Sequence, residues 1–270
     1  MKLVLKVGVA ALCLAAFPAS VSADQPTLLP TPEPTGCDLL PDQGELTVAL
    51  IAAVAVETSG LDFQMWATLV DRDGVVCAVA FSGRDRGSQW PGSRVISAQK
   101  ANTANAFSLD NLALSTANLY SAVQPGQSLF GLQASNPVDT GVAYKGPAQA
   151  YGTSHDPMIG NRIGGVNVFG GGLALYDRTG SVRGAVGVSG DTSCADHMIA
   201  WRVRKALNFD YLFGRGVSGD ADRPDNIIYD IVDGVSASGF GHPTCINTAP
   251  ALSLPAVQTV PIPPPGPTPH

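Results

Sequence analysis

Two β-hairpin patterns, each followed by a helical pattern, constrain the fold of this chain more than any other feature. The segment FQMWATLVDRDGVVCAVAF predicts two strands joined by a turn at residues 71–74, and GLALYDRTGSVRGAVGVSG predicts a second pair turning at residues 178–180. Helices are predicted for GELTVALIAAVAVETSG with a cap at Gly60, for SRVISAQKANTANAFS and for CADHMIAWRVRKAL. This order of elements predicts an α+β fold in which helices pack on an antiparallel sheet.

The junction between the last strand and the last helix, GAVGVSGDTSCADHMIAW, resembles several catalytic turns at first sight. A nucleophile elbow around Ser189 would need glycine where Asp191 stands. A phosphate-binding loop would need a Gly-Lys-Ser/Thr sequence, which does not follow. Ser193 and Asp196 instead match the S-x-x-D pattern of a helix N-terminus. We therefore predict a strand, a turn and a capped helix here, without a nucleophile.

The two ends of the chain predict an exported protein with unfolded flanks. Residues 1–23 combine early lysines, an apolar stretch and a small-residue ending, which is typical of a signal peptide cleaved after Ala23. Residues 24–35 and 249–270 are proline-rich and lack an apolar period, so we predict a linker and a disordered tail.

The remaining residues, 36–248, are long enough for a single domain with a real core. Within it, the Gly-, Pro- and Asn-rich residues 125–165 predict a long inserted loop, and residues 208–248 form a C-terminal extension. No segment after the signal peptide is long and apolar enough to span a membrane.

Charge and cysteine content narrow the partners and the location. The chain has 16 Lys and Arg against 22 Asp and Glu, and cleavage would remove two lysines more, so nucleic-acid binding is not expected. Four cysteines follow the signal peptide: Cys37, Cys77, Cys194 and Cys245. An even number in an oxidising compartment predicts two disulfides in a periplasmic or secreted protein.

Four short motifs occur in an order that points to one family. They are VDRDGVV around Gly74, KANTA at residues 100–104, GGVNV at residues 164–168, and the glycine-rich strand from Gly180 to Gly190. Together, over residues 45–207, they resemble the GlcG/HbpS-like family, formerly DUF336. Asn167 stands where the family has proline, and the long loop, the extension and the cysteines are departures from its pattern. The extension could be tied back by Cys194–Cys245, which leaves Cys37–Cys77, but three pairings are open.

The resemblance implies a profilin-like fold, assembly into a homo-oligomer and, in some members, haem binding. It places a candidate ligand site on the KANTA helix, where Ile96, Lys100, Thr103 and Phe107 form one stripe, and on the loops beside it. The candidate ligand-binding residues are Lys100, Thr103, Phe107, His155, Gly164 and Gly165. The candidate iron ligands are Thr103, His155 and His197.

Each candidate also has a structural interpretation. The Lys100 stem can cover apolar surface, and the Thr103 hydroxyl can bond back to its own helix. His197, in the first turn of a helix, is expected to be a surface residue or to support a ligand rather than bind one. His155 lies in the long loop beside Asp156, which could orient it, and His242 is expected to be structural because it is close to Cys245.

The first hypothesis is therefore an exported haem-binding protein that holds haem or a similar planar anionic ligand, with slow haem degradation as a secondary activity. An accessory protein or enzyme acting on a small hydroxy or keto acid is the second, and a structural assembly subunit is the third. The sequence alone shows no catalytic constellation, so it leaves open whether the protein is an enzyme.

Overall fold

The computed structural model describes residues 36–250 and 253–261. The predicted signal peptide and linker, and the end of the predicted tail, lie outside the described residues. No helix in the described part of the chain is long and apolar enough to cross a membrane.

The helices and strands follow the predicted order. The helices are α1 (Gln43–Val56), α2 (Ser93–Phe107), α3 (Leu132–Ser135), α4 (Thr140–Ala143) and α5 (Ser193–Ala206). The strands are β1 (Trp66–Asp71), β2 (Val76–Phe81), β3 (Gly172–Tyr176), β4 (Val182–Ser189), β5 (Ile231–Val232) and β6 (Val235–Ser236). Short 3₁₀ turns occur at Gly36–Leu39, Thr116–Leu119, Ser121–Val123 and Ala148–Ala150.

Four strands form one antiparallel sheet in the order β2-β1-β4-β3. The two predicted hairpins supply β1 with β2 and β3 with β4, and they join through β1 and β4, where Trp66 pairs with Ser189 and Asp71 with Gly184. The two-residue strands β5 and β6 form a separate small hairpin in the extension. The predicted α+β fold with an antiparallel sheet is confirmed.

Helices cover both faces of the sheet. On one face, α1 packs against β2 and α5 packs against β4, and Leu46, Met198 and Val186 share one apolar core. On the other face, α2 lies across the sheet, and Ala98 and Ala185 belong to a second apolar core. The alternation of small and branched residues along β4 therefore serves two different helix layers.

Gly187 is what allows α2 to lie directly on β4. A Cβ atom at this position would overlap the carbonyl oxygen of Ser97 and would stand 2.5 Å from the backbone nitrogen of Ala101. A Cβ at Gly172 of the neighbouring strand would lie 2.5 Å from the carbonyl oxygen of Lys100. The glycine-rich strand motif is thus a packing requirement of the helix above it.

The inserted loop, residues 125–165, is more ordered than predicted because it covers the β2 edge. The amide of Gly160 donates to the Val76 carbonyl at 2.8 Å, and the Val76 amide donates to Asn161 at 2.9 Å. These bonds pair edge groups that would otherwise be free to bind another strand. The segment also forms α3 and α4, which the composition did not predict.

Two predicted helix caps are wrong. Helix α1 ends at Val56, and Gly60 instead donates its amide to the Asn247 carbonyl. Thr192, not Ser193, is the N-cap of α5 and accepts from the Ala195 amide at 3.2 Å. The side chains of Ser193 and Asp196 have partners outside the helix, which local pattern cannot reveal.

The predicted disordered tail is also wrong for residues 253–261. Leu254 and Val257 are buried in the core beneath α5, and the Trp201 indole donates to the Pro255 carbonyl at 3.0 Å. Leu254 and Val257 are enough to dock this extended segment, although its sequence has no periodic pattern of apolar residues. The structure pairs Cys37 with Cys77 and Cys194 with Cys245, so both predicted disulfides are present.

Candidate functional site

Lys100 is buried on the sheet-facing side of α2, and its ammonium group is fully used. It forms an ion pair with Asp196 at 2.6 Å and donates to the Val188 carbonyl at 3.0 Å and the Ser189 hydroxyl at 3.3 Å. An ammonium group has three N–H donors, so these acceptors satisfy all of them. Lys100 therefore joins α2, β4 and α5, and it offers no free donor to a ligand.

The Lys100–Asp196 pair is held in a site that disfavours both charges. Burial raises the pKa of the Asp196 carboxyl to about 6 and lowers the pKa of the Lys100 ammonium. The second oxygen of Asp196 accepts the Asp191 amide at 2.9 Å. These bonds fix the turn between β4 and α5.

Thr103 and the loop that carries Gly164 and Gly165 are tied to each other. The Thr103 hydroxyl donates to the Gln99 carbonyl at 2.7 Å and accepts the Asn167 amide at 3.0 Å. Gly165 has a positive φ of 81°, and a Cβ there would lie 2.8 Å from the side-chain nitrogen Nε2 of Gln99. The positive φ therefore favours glycine at this position, and the Thr103 hydroxyl already donates to its own helix and accepts from the loop.

The other predicted residues do not gather around one ligand. Phe107 is half-buried in a separate apolar cluster with Leu129 and Leu132. His155 is exposed, and its Nδ1 lies 3.2 Å from the Ser154 hydroxyl. Asp156 does not orient His155, because it is buried in an ion pair with Arg94.

His197 is not the surface residue that its place in the first turn of α5 predicted. Its side chain is fully buried, and the Ile227 amide donates to its Nε2 at 3.2 Å. Burial lowers the pKa of His197 to about 3 and that of the equally enclosed His242 to about 4. Both rings are therefore neutral at pH 7, and His197 is shut off from any external ligand by the extension packed over it.

These two histidines predict a loss of stability on acidification. Below pH 6.5 these two imidazole rings bind protons in the unfolded chain but stay neutral in the folded chain. The free energy of unfolding therefore falls by about 1.4 kcal/mol per pH unit for each ring. The raised pKa of Asp196 acts in the opposite sense below pH 6. Urea unfolding at pH 7.5, 6 and 5 should show the net decline.

His197→Gln should flatten that decline between pH 7.5 and 5, whereas the exposed His155→Gln should leave it unchanged. If His197→Gln fails to fold, His242→Gln makes the same measurement. Equal slopes for wild type and the His242 and His197 variants would contradict the assignment.

An open cavity with aromatic walls lies between the N-terminal end of α2 and the inserted loop. Its volume is about 570 Å³, within the range of small-molecule sites. The lining includes Trp66, Arg86, Arg94, Val95, Tyr144 and Tyr151. We call it the Trp66–Tyr151 cavity. The sequence pointed to residues 125–165 as a functional loop, but not to these aromatic residues or to their partners on α2.

The two arginines of this cavity differ in function. Arg94 is buried, lies 3.6 Å from the centre of the Tyr151 ring, binds Asp156 through two nitrogens and donates to the Ala143 carbonyl at 2.7 Å. Arg86 is exposed at the rim, and its guanidinium has no hydrogen bond or ion pair within residues 36–250 and 253–261. Arg94 therefore builds the wall, while Arg86 is available to an anion.

Tyr144 and Tyr151 lie on the loop side of this cavity. The Tyr151 hydroxyl donates to the carbonyls of Tyr144 and Lys145 at 3.0 and 3.2 Å, which fixes that ring. Tyr144 is 58% exposed, and its phenol oxygen has no hydrogen-bond partner in the described part of the chain. Of the two phenols, only that of Tyr144 is available to a ligand.

Comparison with known proteins identifies the family. The sequence model of the HbpS-like family, described as haem-degrading protein HbpS-like, matches residues 44–204. None of the curated proteins matches this sequence.

Three solved structures are similar to this chain. A PduOC–haem complex shares 24% identity over 61% of this chain and 91% of its own, with a TM-score of 0.42. ORFY of Klebsiella pneumoniae shares 26% identity over 61% of this chain and 87% of its own, with a TM-score of 0.41. HbpS shares 15% identity over 69% of this chain and 99% of its own, with a TM-score of 0.41.

The family match covers more than half of the chain and spans the sheet from α1 to α5, including all four motifs that carried the resemblance. The chain belongs to the HbpS-like family.

Proposed function

We propose that this protein is an exported haem-binding protein and that haem, or a similar planar anionic ligand, occupies the Trp66–Tyr151 cavity. The observation that carries the proposal is an open cavity of about 570 Å³ with aromatic walls and, at its rim, an arginine that has no partner among the described residues. Membership of the HbpS-like family supports the ligand class. The two disulfides support export, since such bonds persist in oxidising compartments.

The residues present fit the three needs of haem. Tyr144 and Tyr151 provide aromatic surface, with Trp66 almost fully buried in the wall; Arg86 provides a cation for a propionate, and the exposed Tyr144 phenol provides an oxygen ligand of the kind that some haem proteins use. Bound haem would supply an iron centre for redox and oxygen chemistry. The chain's own contribution is to bind the ring, to orient it through Arg86 and to limit solvent around it.

The site first predicted on the KANTA helix supports this cavity indirectly. Lys100 and Thr103 have all their polar groups engaged, so in this proposal they hold the sheet, α2 and the 164–168 loop in place. The same fact disfavours a small hydroxy-acid site at Lys100, because a carboxylate would find no free N–H there.

Self-association is part of the proposal. Val48, Ile51 and Val56 are exposed on the outer side of α1, an apolar surface that a second copy could cover. We propose a homo-oligomer on this basis, and light scattering of the mature protein will measure its size.

The test is a hemin titration of residues 24–270, followed at the Soret band. We expect saturation at about one haem per chain. Arg86→Gln should weaken binding about tenfold, the loss of one charge-assisted hydrogen bond. Tyr144→Phe should shift the Soret band of the complex. The matched control is Arg84→Gln, since Arg84 is exposed on the same loop but does not line the cavity.

Thr103→Ala and His155→Ala test where on the protein haem binds. If either variant abolishes the Soret shift while Arg86→Gln and Tyr144→Phe bind normally, the ligand lies elsewhere and the Trp66–Tyr151 cavity is the wrong site. A titration indistinguishable from that of a nonspecific control protein would rule out haem binding itself.

A further inference from the structure

Ser193 and His242 form a hydrogen-bonded pair beside a second, smaller cavity. The Ser193 Oγ lies 2.7 Å from the His242 Nε2, and the His242 Nδ1 lies 2.7 Å from the Pro243 carbonyl oxygen. A carbonyl oxygen can only accept, so Nδ1 carries the proton and Nε2 has the free lone pair. The Ser193 hydroxyl therefore donates to Nε2, which is the hydrogen-bond order of an activated serine nucleophile.

The surroundings of Ser193 favour negative charge on its oxygen. The Gly170 amide donates to the Ser193 Oγ at 2.6 Å. Ser193 is also the first residue of α5, where backbone N–H groups are unpaired within the helix and the helix dipole favours an anion. As in other serine nucleophiles, its own amide can then contribute to binding a carbonyl oxygen that becomes negative.

The histidine is positioned from several sides. The Cys194–Cys245 disulfide joins the residue after Ser193 to a residue three places beyond His242. The His242 amide donates to the Ile228 carbonyl at 2.8 Å, and the Tyr120 ring packs at 5.0 Å between centroids. Burial lowers the pKa of His242 to about 4, so the ring is neutral at pH 7 and its Nε2 lone pair is free to accept the Ser193 hydrogen bond.

The adjoining cavity sets the substrate class. Its volume is about 170 Å³, and Ser193 lines it together with Trp90, Ile96 and Phe169. Trp90 and Phe169 are half exposed, so the cavity has an apolar mouth. Lys100 and Asp196 at its base are already paired with each other. The space fits a short apolar acyl group of a few carbon atoms, and it is too small for haem.

We propose that Ser193 is the nucleophile and His242 the general base of an acyl-transfer site that hydrolyses small carboxylic esters. The Ser193 Oγ bonds to the ester carbonyl carbon while its proton passes to the His242 Nε2. The bond from the carbonyl carbon to the alkoxy oxygen then breaks, and the alcohol leaves with that proton. Water attacks the acyl-serine, gives its proton to Nε2, and releases the carboxylic acid as Ser193 regains its hydrogen. In both acylation and deacylation, the Pro243 carbonyl accepts a hydrogen bond from His242 Nδ1 and so stabilises the imidazolium.

This inference is independent of haem binding, and its test uses the mature chain without hemin. Hydrolysis of p-nitrophenyl acetate and labelling by a fluorophosphonate probe are measured side by side, with the labelled residue located by peptide mass spectrometry. We expect the label on Ser193. His242→Gln should lower the hydrolysis rate about 100-fold, the contribution of a general base, and Ser193→Ala should reduce it to background.

The matched control is Ser135→Ala, because Ser135 is an exposed serine on α3 and should leave both readouts unchanged. If a variant does not fold, labelling of the wild-type protein is sufficient as a test. Labelling on a residue other than Ser193, or no labelling at millimolar probe, would overturn the proposal. So would an unaltered rate in a folded Ser193→Ala protein.

Discussion

Gly187→Ala is expected to cost at least about 3 kcal/mol of the free energy of unfolding, the upper range for overpacking. The added methyl would overlap the Ser97 carbonyl oxygen and stand 2.5 Å from the Ala101 nitrogen. Both are backbone atoms of α2, so no side-chain rotation can relieve the clash. The helix must move off the sheet and lose the apolar contacts beneath it. Urea denaturation of the mature protein will measure the cost.

The matched control for this substitution is Gly92→Ala. Gly92 precedes α2 with a helical φ of −65°, and a Cβ there would meet nothing within 4 Å. We expect its free energy of unfolding to stay within about 0.5 kcal/mol of wild type, as for other unstrained surface changes. Equal stability of the Gly187 and Gly92 variants would show that α2 does not lie against β4 as described.

Lys100→Met is expected to cost about 3–5 kcal/mol at pH 7.5, because it leaves the Asp196 carboxylate buried without its cation. The double variant Lys100→Met/Asp196→Asn should recover most of this loss, since it removes the buried charge and keeps an oxygen to accept the Asp191 amide. The readout is the free energy of unfolding of the single and double variants.

The cost of Lys100→Met should also shrink as the pH falls to 5. The pKa of Asp196 is already raised to about 6 in the paired state, so acidification neutralises the carboxyl left behind. Arg162→Met provides the control: its partner Asp73 is 4.0 Å away and both side chains are exposed, so we expect little change. A double variant no more stable than Lys100→Met would contradict the ion-pair argument.

For Lys100, the sequence predicted the position on the helix but not the partner of the side chain. The KANTA motif correctly placed Lys100 and Thr103 on one helix, but whether they bind a ligand depended on what faces them. Lys100 meets a carboxylate 96 residues away, and Thr103 meets an amide 64 residues away. Both side chains proved to be satisfied by the protein itself.

The predicted helix start at the β4–α5 junction had a similar outcome. The S-x-x-D pattern correctly indicated a helix N-terminus, but Thr192 caps it and Ser193 is bonded to a histidine 49 residues away. Ser189 lacks the elbow motif, and the serine that does meet a histidine has no local motif either. His242, predicted to be structural, is brought there by the extension that Cys194–Cys245 ties to α5.

By itself, the sequence determined the two hairpins, the three long helices, their order, the family and the presence of two disulfides. The disulfides follow from the even number of cysteines, and the other features depend on turn chemistry, on the spacing of apolar residues and on short motifs, which act over a few neighbouring residues. Only the tertiary structure decided the capped edge of β2, the docking of residues 253–261, the Trp66–Tyr151 cavity and the Ser193–His242 pair. Each of these joins parts of the chain far apart in sequence, and their contacts depend on how the folded elements pack.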